Sequence, residues 1–173
     1  MIKLPKTKYC HLDIKNDWLA ISIDNDKKKN ALSATLIDEI IKVFDIAGKS
    51  KQIRGILIKG KNGIFCSGAD LEELHQITYT KENREELTTR MSIRIGNLLQ
   101  TISNVPQITA SVIDGPCIAG GFGMACATDI MITMDSSIFK LSETQLGLTP
   151  AQIAPYILNR VNYSQARLLM LLG

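Results

Sequence analysis

The segment FCSGADL, residues 65–71, joins a predicted short strand to a predicted helix start. Amide N–H groups at a helix start have no partner inside the helix, so they can bind a negatively charged oxygen. An ordinary strand-to-helix turn has the same pattern. The segment alone therefore leaves an anion site and a simple connection both open.

A second segment, residues 113–124, places Gly120, Gly121 and Gly123 at another predicted helix start. Glycines there let a ligand approach the backbone closely, and the helix dipole favours negative charge. The segment contains neither a complete G-x-G-x-x-G nor a G-K-[ST] motif, which argues against dinucleotide and P-loop sites. Close packing of the helix on a strand is the alternative interpretation.

A third segment, residues 139–150, carries Glu143 at the end of a predicted strand among apolar neighbours. Burial at such a place would raise the pKa of the carboxyl toward the range useful for proton transfer. A helix-start glutamate that caps the backbone is the alternative.

The elements that position these segments follow from hydrophobic periodicity. Residues 9–14 and 18–24 predict two strands joined by a hairpin turn at Asn16-Asp17. Ser33 offers an N-cap to an amphipathic helix over residues 34–47, with Gly48 as its stop. Residues 53–59 and 64–66 predict two further strands.

The second half of the chain alternates in the same way. Residues 82–103 predict a long helix that ends before Pro106. The remaining predicted strands cover 107–113, 130–134 and 138–141, and the remaining helices cover 120–128, 156–161 and 164–172. Strands interleaved with helices predict an α/β domain built around mostly buried strands.

Composition limits the kind of protein. The chain has 173 residues, a net charge of +3 and 5% aromatic residues, and its basic residues are scattered, which argues against nucleic-acid binding. Four cysteines without a C-x-x-C and only two histidines argue against a metal site. Charges and turn residues within the apolar stretch 108–134 argue against a membrane span. No signal peptide is evident at the start, so we expect reduced thiols and a cytoplasmic location.

Taken together and in this order, the three segments resemble the signature of the enoyl-CoA hydratase/isomerase (crotonase) superfamily. The resemblance runs from Asn30-Ala31-Leu32 to Leu172. It implies the crotonase spiral, a ClpP-like α/β fold of repeated strand-strand-helix units. It also implies that residues 1–173 form one N-terminal core domain that lacks the usual C-terminal helical segment.

The resemblance also implies an active site. The amides of Ala69 and Gly120 match the family's oxyanion hole for the thioester carbonyl of an acyl-CoA. Glu143 matches the second of two glutamates that family hydratases commonly use. The first glutamate falls at Gly123, which has no side chain to activate a water.

Three functions stay open on this pattern. Residues 141–156 are similar to a methylglutaconyl-CoA-hydratase-like subgroup, which favours an enoyl-CoA hydratase, a lyase that adds water to a 2-enoyl-CoA. A 3,2-enoyl-CoA isomerase would need only one carboxylate. A non-catalytic acyl-CoA-binding homologue would need none.

The resemblance places CoA along the loop before the first helix and along the oxyanion hole, and it implies no further cofactor. Lysines 27–29 in that loop could meet CoA phosphates, whereas Glu72 replaces a basic residue found in some members. The residues expected to contact CoA are Lys28, Ala31, Ser67, Ala69, Asp70, Leu71 and Gly120. The family often assembles as trimers or hexamers, and leucines in the last predicted helix lead us to expect a homo-oligomer such as a homotrimer.

Overall fold

The computed structural model describes residues 2–80 and 82–173. The strands are β1 Cys10–Lys15, β2 Trp18–Ile23, β3 Gly55–Gly60, β4 Ile108–Ile113, β5 Pro116–Ile118, β6 Ile130–Thr133 and β7 Ile138–Lys140. The α-helices are α1 Ala34–Gly48, α2 Leu71–Tyr79, α3 Arg84–Asn104, α4 Gly120–Cys126, α5 Ala154–Leu158 and α6 Tyr163–Leu172. Short 3-10 helices span Asp26–Lys28 and Thr144–Leu146.

The main sheet has five strands in the order β1-β2-β3-β4-β6. The first two are antiparallel, and each later neighbour is parallel. The predicted hairpin turn is confirmed, because Asn16 and Asp17 both take positive φ values, 51° and 64°. Such a turn matches the right-handed twist of the strands on either side.

The core lies between the main sheet and the helices that cover it. Leu36, Ile40 and Phe44 of α1 are fully buried, as their spacing predicted. Ser33 caps α1, because its Oγ accepts a hydrogen bond from the Leu36 amide at 3.3 Å. Helices α1 and α3 pack against each other. In the part of the chain described, no helix is both long and apolar enough to span a bilayer.

The predicted strand at residues 64–66 is wrong. Only Cys66 pairs there, in an isolated bridge to Cys117. The amides of Phe65 and Cys66 both donate to the Pro116 carbonyl, at 3.0 and 3.1 Å, so two consecutive donors converge on one acceptor instead of forming a ladder. The pairing partner is β5, which the sequence did not predict because Pro116 opens it directly after a turn.

A small second sheet brings the three candidate segments together. Strands β5 and β7 are parallel neighbours, and Ile118 is paired with Lys140. The carboxyl ends of both strands therefore lie at the same edge of this sheet. The chain continues from β5 into α4 and from β7 to Glu143. The bridge from Cys66 to β5 brings the first segment beside them. Outside the carboxyl ends of parallel strands is where α/β folds commonly form ligand crevices.

Candidate active site

All three segments line one cavity of about 260 Å³. The first contributes Ser67, Ala69 and Leu71, and the second Ala119 and Gly120. The third contributes Ser142, Glu143 and Leu146, followed by residues 148–153. Helix α3 closes another side with Thr88, Met91, Ser92 and Ile95, and α2 adds Leu74. Thr88, Met91 and Ser92 precede Ile95 by seven, four and three residues, so all four side chains lie on one face of α3.

The first segment lines the cavity at Ala69, whose amide is held by the backbone around it. Gly68 takes a φ of +95°, which a residue with a side chain rarely adopts. Its carbonyl accepts a hydrogen bond from the Leu32 amide at 2.7 Å, which fixes the segment to the chain before α1. Among the described residues, the Ala69 amide donates to no acceptor. It is therefore free to bind a ligand oxygen.

The second segment presents the amide of Gly120. Ala119 just before it takes φ 51° and ψ −120°, a strained conformation for a residue with a Cβ. A hydrogen bond from the Ala119 amide to the Lys140 carbonyl, at 2.7 Å, helps to hold that conformation. The Gly120 amide, like that of Ala69, finds no acceptor in the described ranges. Two residues with uncommitted amides thus line one cavity.

Glu143 faces the same cavity with a half-buried carboxyl group. Burial raises the pKa of this carboxyl above its usual value, because the charged form loses hydration. Its Oε2 is buried and has no hydrogen-bond partner within residues 2–80 and 82–173. The capping alternative fails, since Glu143 precedes the 3-10 helix Thr144–Leu146 but its side chain makes no cap hydrogen bond. A buried carboxyl oxygen without a protein partner is available to a substrate.

Position 123 has no room for a side chain. A Cβ built on Gly123 would lie 2.3 Å from Cγ2 and 2.7 Å from Cβ of Ile153. Ile153 is 3% exposed and lines the cavity. An apolar side chain therefore fills the space beside the place where the family's first glutamate would project. Among the described lining residues, Glu143 is the one ionisable side chain.

The residues expected along CoA divide into two groups. Ser67, Ala69, Leu71 and Gly120 line the cavity, whereas Ala31 is buried away from it. Lys28 lies between two carboxylates, with Nζ 2.6 Å from Asp70 Oδ2 and 2.7 Å from Glu72 Oε2. The hydrogen bonds that Lys28 donates to Asp70, and secondarily to Glu72, raise the pKa of Lys28 above its usual value.

Other polar residues have structural contacts. Asp70 caps α2 by accepting a hydrogen bond from the Glu72 amide at 3.0 Å, and Asp129 Oδ2 accepts one from the Thr109 amide at 2.7 Å. His75 is exposed on α2. Burial raises the pKa of Cys66 to about 12 and that of Cys117 further still, so neither thiol is a nucleophile at neutral pH. No group of three or more metal-ligating side chains occurs in the part of the chain that the structure covers.

Sequence reasoning missed the cavity lining supplied by Leu74 of α2, by α3 and by residues 151–153. The available signal was the pair of i, i+4 spacings in α3, Thr88 with Ser92 and Met91 with Ile95. Those spacings show which residues share a face but not what that face covers.

Comparison with known proteins agrees with the fold. The profile of the family described as Enoyl-CoA hydratase/isomerase matches residues 13–173. Enoyl-CoA hydratase AFT6-1 of Alternaria alternata is 34% identical over 152 residues, which are 87% of this chain and 48% of that protein. The mouse mitochondrial methylglutaconyl-CoA hydratase is 34% identical over 142 residues, 81% of this chain and 43% of its own length. The chain thus spans about half the length of the curated relatives it matches.

A solved structure extends the likeness to the fold. The crystal structure of an enoyl-CoA hydratase/isomerase from Marinobacter aquaeolei superposes with a TM-score of 0.88 at 30% sequence identity, covering 95% of this chain and 63% of that one. The crotonase-type α/β fold that the sequence implied is confirmed. Because the family profile matches nearly the whole length of this chain, the chain belongs to the enoyl-CoA hydratase/isomerase family.

Proposed function

We propose that the chain carries the site of an enoyl-CoA hydratase, which adds water across the double bond of a 2-enoyl-CoA thioester. The observation that carries the proposal is Glu143, whose buried Oε2 has no hydrogen-bond partner among the described residues, and which lines one cavity together with Ala69 and Gly120, whose amides are free. An enolate built next to a thioester needs fixed donors for its oxygen and one group that moves a proton.

In this proposal Glu143 acts twice. As a carboxylate it takes a proton from water while the water oxygen bonds to Cβ of the enoyl group. The electron pair of the double bond moves toward the thioester carbonyl, whose negative oxygen lies between the amides of Ala69 and Gly120. The protonated Glu143 then gives its proton to Cα, and the carbonyl is restored. The raised pKa of Glu143 suits both steps, because it brings the two protonation states closer in free energy at neutral pH.

The absence of a side chain at Gly123 favours a second candidate, a 3,2-enoyl-CoA isomerase. There the same carboxylate would remove a proton from C2 of a 3-enoyl-CoA and return it to C4. No water would be incorporated.

Product analysis separates these functions. We expect crotonyl-CoA to yield 3-hydroxybutyryl-CoA with oxygen from labelled water, measured by mass spectrometry. A 3-enoyl-CoA that yields only the 2-enoyl isomer would favour the isomerase. Stabilisation against heat by acyl-CoA without turnover of either substrate would indicate a binding protein and contradict both.

The oxyanion hole predicts a spectroscopic result that does not depend on turnover. We expect the carbonyl stretch of bound butyryl-CoA, carrying ¹³C at the carbonyl, to fall below its value in water, because two fixed donors polarise the bond. Isotope-edited infrared difference spectra measure this shift. The thioether analogue, which has no carbonyl, is expected to bind more weakly. A carbonyl frequency equal to that in water would contradict the assignment of the Ala69 and Gly120 amides.

A further inference from the structure

Three charged side chains form a cluster beside the Ala69 amide. Lys28 Nζ lies 2.6 Å from Asp70 Oδ2 and 2.7 Å from Glu72 Oε2. The Asp70 side chain is only 3% exposed, whereas those of Lys28 and Glu72 are 34% and 76% exposed. A buried carboxylate requires a partner, and Lys28 is the cation that provides it.

Asp70 directly follows Ala69 and fixes the start of α2. Its Oδ1 accepts the Glu72 amide while its Oδ2 holds Lys28, so both oxygens of the carboxylate are engaged. Because Asp70 directly follows Ala69, loss of these contacts would let the backbone on the C-terminal side of Ala69 shift. The contacts of one carboxylate therefore constrain the direction of the neighbouring amide.

The loop that carries Lys28 is attached to the same segment at further points. Ser67 Oγ donates to the Lys28 carbonyl at 3.3 Å, and the Ser67 amide donates to the Lys29 carbonyl at 3.2 Å. On the far side of Lys28, the Leu32 amide donates to the Gly68 carbonyl at 2.7 Å. The ion pair thus joins two segments that already lie against each other by main-chain contacts.

The charge of the cluster disfavours a phosphate. One ammonium and two carboxylates carry a net charge of −1, and Lys28 already donates to both carboxylates. A phosphate bound at Lys28 would lie beside the negative charges of Asp70 and Glu72. It would also have to compete with these carboxylates for the N–H donors of the Lys28 ammonium.

We propose that Lys28 is a positioning residue, which holds Asp70 and through it the Ala69 amide in the oxyanion hole, and that it is not a ligand of a CoA phosphate. The proposal rests on the hydratase function proposed above, and it replaces the expectation that Lys28 contacts CoA. Lys28 acts on the rate of the chemical step, since misdirected donors lose transition-state stabilisation.

Two substrates and a small set of variants test this role. Crotonyl-CoA and crotonyl-pantetheine share the thioester, but the second lacks the nucleotide and its phosphates. We expect Lys28→Met to lower kcat about tenfold to a hundredfold with both substrates and to leave the ratio of their KM values unchanged. Asp70→Asn is expected to act in the same direction, and Lys28→Arg to restore part of the rate. Lys61→Met, which breaks the ion pair with Asp24 at 3.0 Å, serves as the matched control and is expected to leave kcat unchanged.

The outcomes separate the two proposals. A rise in KM for crotonyl-CoA alone, with kcat unchanged, would make Lys28 a phosphate ligand and overturn the positioning role. Lack of turnover by the unmodified protein would contradict the hydratase function instead. In that case the carbonyl stretch of bound butyryl-CoA still tests Lys28, since the positioning role requires Lys28→Met to return the frequency toward its value in water. Far-UV circular dichroism confirms that each variant is folded, and Lys28→Arg supplies the test if Lys28→Met is not.

Discussion

Replacing Glu143 with glutamine is expected to lower kcat for crotonyl-CoA hydration by about 10²–10⁴-fold, the usual contribution of a general acid or base. The amide keeps the size of the side chain but cannot take a proton from water. No second carboxyl can substitute, because Glu143 is the one ionisable group among the described cavity-lining residues. KM should change little, since the oxyanion donors remain.

The same variant should be at least as stable as the unmodified protein at neutral pH. Burial raises the pKa of Glu143 in the folded protein above its unfolded value, so the folded state binds the proton more tightly. Stability from this group is therefore present below the unfolded pKa and is lost as pH rises through the folded pKa. Glu143→Gln removes that loss, and its advantage in the free energy of unfolding should disappear on acidification.

Steady-state kinetics and urea unfolding at several pH values check both statements. Asp13→Asn, at an exposed position of β1, is the control and should change neither quantity. Hydration by Glu143→Gln at the unmodified rate would exclude the acid/base role of Glu143.

The local pattern carried much of the fold and of the site. Two patterns indicated faces that are in fact buried: the alternation in residues 18–24 and the helical spacing of Leu36, Ile40 and Phe44. The hydrophobic effect buries apolar side chains whichever element packs over them. Ala69, Gly120 and Glu143 were found through the resemblance of their segments to the enoyl-CoA hydratase/isomerase family, and all three line one cavity.

What the sequence did not reveal depends on pairings between distant residues. The strand β5 forms only because β7 and Cys66 lie on either side of it. The ion pair of Lys28 with Asp70 joins residues 42 positions apart, and no periodicity within either segment encodes it. A local pattern shows which residues could pair, whereas the tertiary fold decides which of them do.

Gly123 illustrates this limit most sharply. In the sequence, Gly123 stands where the family's first glutamate is expected. In the structure, Ile153 occupies the space that a side chain at this position would need. Helix propensity alone predicts that Gly123→Ala would stabilise α4 by about 0.5–1 kcal/mol. The structure predicts the opposite sign, because the added Cβ would lie 2.3 Å from Cγ2 of a β-branched side chain with little rotamer freedom. We expect Gly123→Ala to lower the free energy of unfolding by about 1–3 kcal/mol, as overpacking does.

A double-mutant cycle measured by urea unfolding tests the contact. Ile153→Ala alone should cost about 2–5 kcal/mol through the cavity it leaves, and the double variant should cost less than the two single changes together, with a coupling of about 0.5–3 kcal/mol. Gly96→Ala in α3 is the control, since its Cβ would meet the end of the flexible Gln152 side chain, at 2.7 Å, and Gln152 can move away. Additive costs at positions 123 and 153 would show that Ile153 does not fill this space. A measured coupling would instead mean that Ile153 and a first glutamate exclude each other, which leaves Glu143 to carry the proton alone.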